Sequence, residues 1–216
     1  VLAVNATTGC SRNMASTANI SINQLPSVVN VTGGGSYCEG GNGVHVGISG
    51  SVANVAYQLY KDGTAIGLPL SGNGSALDFG LFDGAGIYTV QATNTLTACT
   101  RAMTGSATVS VNTLPEAVTV TGGGSFCAGG AGVPVGIASS ANGITYRLFR
   151  GSVAIATAGG NGSAVTFGTY SVAGTYSVSA VNTVTGCAAP MTGSVAVIVN
   201  QLPVVQTVTG GGNYCA

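Results

Sequence analysis

Six cysteines are the residues of this 216-residue chain whose type and spacing promise chemistry: Cys10, Cys38, Cys99, Cys127, Cys187 and Cys215. The intervals run 28, 61, 28, 60 and 28 residues, so the thiols recur in step. None forms the close Cys-x-x-Cys pair of zinc sites and dithiol redox centres. What remains is disulfide formation in an oxidising, extracellular setting. Three pairing families respect the period. Cys38 with Cys99 and Cys127 with Cys187 would close loops of about 60 residues, a constraint of roughly 4 kcal/mol in the chain-entropy picture. Cys10 with Cys38, Cys99 with Cys127 and Cys187 with Cys215 would keep the constant spacing of 28. Cys38 with Cys187 would reach one unit further along.

The text that carries these cysteines repeats as well. Val-Thr-Gly-Gly-Gly stands at residues 31–35, 120–124 and 208–212, Leu-Pro precedes it at 25, 114 and 202, and Tyr/Phe-Cys follows at 37, 126 and 214. The offsets are 89 and then 88, with one residue lost between Asp62 and Asn73, an indel of the kind surface loops tolerate. Residues 178–216 align with residues 1–39. We therefore read the chain as a window on a longer array. Residues 1–26 form the C-terminal part of a preceding repeat, 27–115 and 116–203 are complete repeats, and 204–216 open the next.

The internal alignment also tests every candidate for catalysis, which needs a nucleophile, a base and a polariser held together. His45 is the only histidine and its twin is Pro134, while Glu39, Asp62 and Asp78 align with Ala128, Gly151 and Thr166. None of these four persists, so we expect no enzyme and no cofactor. Five acidic residues spread over the chain cannot assemble the several carboxylates a calcium site needs. Five scattered cations, Arg12, Lys61, Arg101, Arg147 and Arg150, cannot form the basic stripe that nucleic acid requires. The Gly33-Gly34-Gly35 run lacks the lysine and following helix of a phosphate cradle, and reads as a backbone bend between strand halves. No stretch approaches the ~20 apolar residues that span a bilayer.

Within each repeat the pattern is β throughout. Short alternating runs such as Val44-x-Val46-x-Ile48, Val55-x-Tyr57-x-Leu59 and Ile87–Ala92 are separated by Gly, Asn, Ser and Asp clusters, making seven strands per unit. Lys61-Asp62-Gly63-Thr64 is a turn signal because glycine supplies positive φ. Seven strands in about 88 residues predict a two-sheet antiparallel sandwich.

Gly86-Ile87-Tyr88-Thr89-Val90-Gln91-Ala92 and Gly174-Thr175-Tyr176-Ser177-Val178-Ser179-Ala180 resemble the F strand of immunoglobulin-like (Ig-like) folds, where such a tyrosine hydrogen-bonds back across the E to F corner. With the Leu-Pro linkers, Gly-Gly-Gly-x-Tyr/Phe-Cys, Tyr-x-Leu-Tyr/Phe and Thr-Gly/Ala-Cys, the whole chain resembles the tandem Ig-like repeats of giant secreted Bacteroidota surface proteins exported by the type IX system. The C strand departs from the Ig pattern, with Tyr57 and Tyr146 standing where a tryptophan is usual. In such a sandwich the A to B corner and the F to G turn lie at opposite ends. A Cys38 in that corner could not reach Cys99 but could meet Cys187. Were residues 36–40 themselves the first strand, the within-repeat bond would survive, and simplicity favours it.

The resemblance implies a structural repeat region of an extracellular filament or giant adhesin, serving surface attachment, gliding or prey capture. Charged residues make up 5% of the chain and the net charge is zero, a regime that favours association. We accordingly expect lateral self-association into a fibre. Alternatives are a glycan- or cell-surface-binding module, for which Tyr60, Phe149 and Tyr170 are the aromatics to inspect, and a passive spacer in a large secreted enzyme.

Overall fold

A computed structural model describes residues 1–16 and 18–216. A short antiparallel hairpin comes first, β1 (Leu2–Val4) and β2 (Ser11–Asn13). The first repeat then lays down β3 (Val31–Gly33), β4 (Gly35–Cys38), β5 (Val44–Ile48), β6 (Val55–Lys61), β7 (Thr64–Ser71), β8 (Leu77–Phe82), β9 (Gly86–Asn94), β10 (Thr100–Ala102) and β11 (Ala107–Asn112). The second follows the same plan with β12 (Val120–Gly122), β13 (Gly124–Cys127), β14 (Val133–Ile137), β15 (Ile144–Arg150), β16 (Val153–Gly159), β17 (Val165–Tyr170), β18 (Gly174–Asn182), β19 (Ala188–Pro190) and β20 (Val195–Asn200). Among the described residues there is no helix, hence none long and apolar enough to cross a membrane.

Contacts divide the chain into two units, Val1–Ser36 with Asn42–Ser110, and Tyr37–Gly41 with Val111–Ala216. In the first, one sheet has the order β4-β11-β9-β6-β7 with β10 on β9, and the other is β3-β5-β8. In the second, the sheets are β13-β20-β18-β15-β16 with β19 on β18, and β12-β14-β17. Alternation along the strands decides what is buried: in β15, Ile144, Tyr146 and Leu148 turn inward while Arg147 stays out. Residues of both sheets close on one core in the second unit, Val120, Val135 and Ile137 against Tyr146, Leu148, Tyr176, Val178 and Val197. The equivalent side chains Val46, Ile48, Tyr57, Leu59, Tyr88, Val90 and Val109 are buried in the first. The chain is thus an all-β tandem of Ig-like sandwiches.

Each repeat holds nine strands rather than the seven periodic runs, for two local reasons. The first strand breaks at the glycine run: β12 pairs with β14 antiparallel, then β13 pairs with β20 in parallel on the other sheet. Gly122, Gly123 and Gly124 make the switch with φ of 89°, 72° and 122°, values that only glycine adopts freely. A Cβ on Gly122 would overlap the Pro134 carbonyl oxygen, and one on Gly33 that of His45. The ninth strand, β10 or β19, is too short for a period to show.

The chain exposes 13360 Å² and carries ten charged side chains, so charge is sparse on its surface.

Candidate cross-linking site

Cys187 closes a turn built by Asn182. The Asn182 side-chain oxygen accepts the Val184 N–H at 2.9 Å and the Thr185 N–H at 3.1 Å, the Gly186 N–H donates to the Asn182 carbonyl at 2.9 Å, and the Asn182 N–H donates to the Cys187 carbonyl at 2.8 Å. Asparagine suits this place because its short amide caps its own backbone two and three residues on. The turn recurs twice. Asn94 holds Leu96 and Thr97 and receives the chain back at Cys99, and Asn5 does the same with Thr7, Thr8 and Cys10. An Asn five residues before the cysteine is legible at all three places, as Asn-Ala/Thr-x-Thr-Gly/Ala-Cys, and was the sequence signal for this loop that motif reading passed over.

The other cysteine of each repeat ends the switched strand. Past Cys38 the Glu39 N–H donates to the Asn112 carbonyl at 2.9 Å and the Gly41 N–H to the Cys38 carbonyl at 2.9 Å. Past Cys127 the Ala128 N–H donates to Asn200 at 2.8 Å and the Gly130 N–H to Cys127 at 2.9 Å. The backbone at the two cysteines is the same.

Cys38 and Cys187 form a disulfide, with Cα atoms 5.5 Å apart, and Cys187 is fully buried. Cys10, Cys99, Cys127 and Cys215 are free thiols. The within-repeat bond that simplicity favours is therefore wrong, and strand order shows why. Cys38 is carried to the level of Asn112, three residues beyond the Val109–Gly86 pairing at the start of β9, whereas Cys99 follows the turn after Asn94 at its far end. Nine residues of strand put more than roughly 25 Å between them, and a disulfide spans at most about 7 Å between Cα atoms. Residues 35–38 are indeed a strand, but it lies beside β11 and carries the thiol to the Asn112 end, away from Cys99.

The remaining candidates are engaged within the fold. The Tyr88 hydroxyl donates to the Gly84 carbonyl at 2.7 Å and that of Tyr176 to Val172 at 2.8 Å. Tyr57 and Tyr146 are buried at the core, their hydroxyl oxygens accepting the Val52 and Ala141 N–H groups at 3.0 Å. Tyr60, Phe149 and Tyr170 are each half-buried: Tyr60 reaches the Gln91 side-chain oxygen at 3.2 Å, and the Tyr170 ring lies 5.1 Å from that of Tyr176. Burial, and secondarily the neighbouring Tyr176 phenol, push the Tyr170 pKa up. The His45 ring lies 2.7 Å from the Asp78 carboxylate with both side chains more than half exposed, a contact that the second repeat, with Pro134 and Thr166, lacks. One polar cluster is copied. The buried Ser51 hydroxyl donates to the Ser75 carbonyl and accepts the Asn73 N–H, as Ser140 does with Ser163 and Asn161. Those hydrogen bonds latch one loop to another and are consumed by backbone groups. Among the described residues no three His, Cys, Asp or Glu side chains gather as metal ligands.

No family model and no curated protein matches the chain. Solved structures do. A mouse coronavirus receptor-binding domain complexed with its murine receptor gives a match at 14% identity and a TM-score of 0.44, covering 80% of this chain and 100% of that one. Chicken CNTN1 FN1–FN3 domains match at 14% identity with TM-score 0.40, over 92% and 76% of the two chains. The fibronectin(III)-like modules of Clostridium thermocellum CbhA match at 13% identity with TM-score 0.39, over 85% and 100%. Identities this low are a likeness of fold alone.

Proposed function

We infer that this chain is a structural repeat region of an extracellular bacterial filament or giant adhesin, whose sandwich domains pack laterally into a fibre and do no chemistry. One observation carries the reading: the two repeats lay down the same nine strands on the same plan, and a disulfide joins Cys38 and Cys187 across 149 residues of sequence. An oxidising extracellular location accords with that bond. Sparse charge, with net zero, lets faces approach without repulsion, and the polar groups repeated in both units are spent on internal loops. The resemblance to type IX-exported Bacteroidota repeats supplies attachment, gliding or prey capture as the setting.

Sedimentation of the intact chain with its free thiols blocked by N-ethylmaleimide tests this. Mass-average size should rise with concentration through the hundred-micromolar range. A strict monomer throughout would remove the fibre reading.

A further inference from the structure

Resting on the lateral packing inferred above, we propose that the edge strand β16 of one copy of this chain pairs antiparallel with β16 of a second copy, so that two sheets become one. β16 closes the order β13-β20-β18-β15-β16 and has a neighbour on one side only. The Gly160 N–H donates to the Ile144 carbonyl at 2.8 Å, and alternation along an antiparallel ladder then turns the backbone of Ala158, opposite Tyr146, toward β15 as well. Thr157 and Gly159 therefore turn their N–H and C=O groups outward. Among the described residues no backbone group bonds to them there.

The first repeat shows that this openness is particular to the second. Its equivalent strand is β7, which ends the order β4-β11-β9-β6-β7. The one residue that separates the offsets of 89 and 88 lies within these strands, eight residues long in β7 and seven in β16. In β7 the pairing jumps from Tyr57–Leu70 to Leu59–Ile66, which leaves Gly67, Leu68 and Pro69 bulged opposite Gln58. Gly67 kinks the edge at φ 64°, the Gln58 side-chain N–H donates to the Ile66 carbonyl at 2.8 Å, and Pro69, the counterpart of Thr157, has no N–H to offer. Kinks and prolines of this kind keep edges from pairing. In β16 Ala156, Thr157 and Ala158 pair regularly with Leu148, Arg147 and Tyr146, the single bulge is set back at Ile155, and Val153–Gly159 holds neither proline nor charge.

The occupant that fits this edge is the same edge. With Ala158 opposite Ala158 of the other copy on a twofold axis, Thr157 meets Gly159 twice, and the open groups of the two strands form four N–H to C=O hydrogen bonds. No complementary sequence is needed from another protein. Arg147, which flanks Thr157 on β15, would stand at least three strand spacings from its twin, about 14 Å and beyond the ~10 Å Debye length at 0.1 M salt.

Amide hydrogen exchange of the intact chain, with free thiols blocked, is followed by nuclear magnetic resonance from micromolar to millimolar concentration alongside sedimentation. The Thr157 and Gly159 amides should slow roughly fivefold or more as mass-average size rises. T157P, which puts the first repeat's proline where the N–H faces away from β15, and T157K should each weaken association roughly tenfold with the Cys38–Cys187 bond and the β circular dichroism kept, while L68K on the blocked edge should leave association unchanged. Association that persists in both Thr157 variants, or an associating chain whose Thr157 and Gly159 amides exchange at one rate throughout, would overturn the strand pairing and leave lateral packing standing. Equal weakening by L68K would move the contact to the first unit and overturn it too. A chain monomeric throughout would overturn both readings and leave the edge to a partner other than a second copy.

Discussion

Cys38 and Cys187 are joined across 149 residues of sequence, and both lie in the unit made of Tyr37–Gly41 and Val111–Ala216. Tension applied at Val1 and Ala216 passes through it and bypasses residues 39–186, which include most of both repeats. The disulfide therefore acts on mechanics more than on any one domain.

Single-molecule pulling should show this directly. With the bond intact, residues 39–186 contribute no extension. After reduction the total contour gain should grow by roughly 50 nm, 149 residues at about 3.5 Å each. Two separate gains of roughly 20 nm would report bonds closed within each repeat and contradict the connectivity. In the chain-entropy model the same loop constrains the unfolded chain by about 5 kcal/mol, so C38S should unfold at distinctly lower denaturant.

Ser140 is the buried half of the copied polar latch, donating to the Ser163 carbonyl at 2.6 Å and accepting the Asn161 N–H at 3.1 Å. S140A leaves both backbone groups without that partner, at a cost of about 1–3 kcal/mol. Urea denaturation should show a lower midpoint at unchanged slope. A midpoint equal to that of the parent would mean water replaces the hydroxyl without loss.

Gly122 carries the chain from one sheet to the other at φ 89°, and a Cβ there has nowhere to go but the Pro134 carbonyl oxygen. G122A should destabilise by more than about 2 kcal/mol, since it adds backbone strain to a steric overlap. Gly159 is the control, having open space around its Cβ direction and no left-handed φ, so G159A should change stability by less than about 0.5 kcal/mol. Equal effects of the two substitutions would show that the sheet switch does not depend on glycine.

Tyr170 gives the second unit a sensitivity to alkali. Burial, then the adjacent Tyr176 phenol, raise its pKa in the folded state above the ordinary tyrosine value. The folded protein then holds this proton more tightly than the unfolded chain does. Its contribution is whole below about pH 10 and declines as pH climbs through the raised folded value. Phe82 occupies the equivalent position in the first repeat and cannot titrate. Thermal melts from pH 9 upward should show a steeper loss for the parent than for Y170F, and parallel slopes would contradict the shift.

The periodic signals in the chain were strong where a residue's partner is local or its pattern long. Alternation in runs such as Val55–Leu59 announced the strands, the offsets of 89 and 88 announced tandem sandwiches, and the missing copies of His45, Glu39, Asp62 and Asp78 argued against a conserved reaction centre. The turn behind each second cysteine was also written in the text, as Asn5, Asn94 and Asn182, since an asparagine cap acts over three residues. Disulfide connectivity was not, because spacing allows three pairings and only distance in space separates them. Whether Cys38 faces Cys99 or Cys187 depends on the place beside β11 that the first-repeat strand takes after its glycine switch, and that is a choice of sheet made by long-range packing. Sequence thus determined the unit and its repetition, while tertiary structure decided which cysteines are bonded.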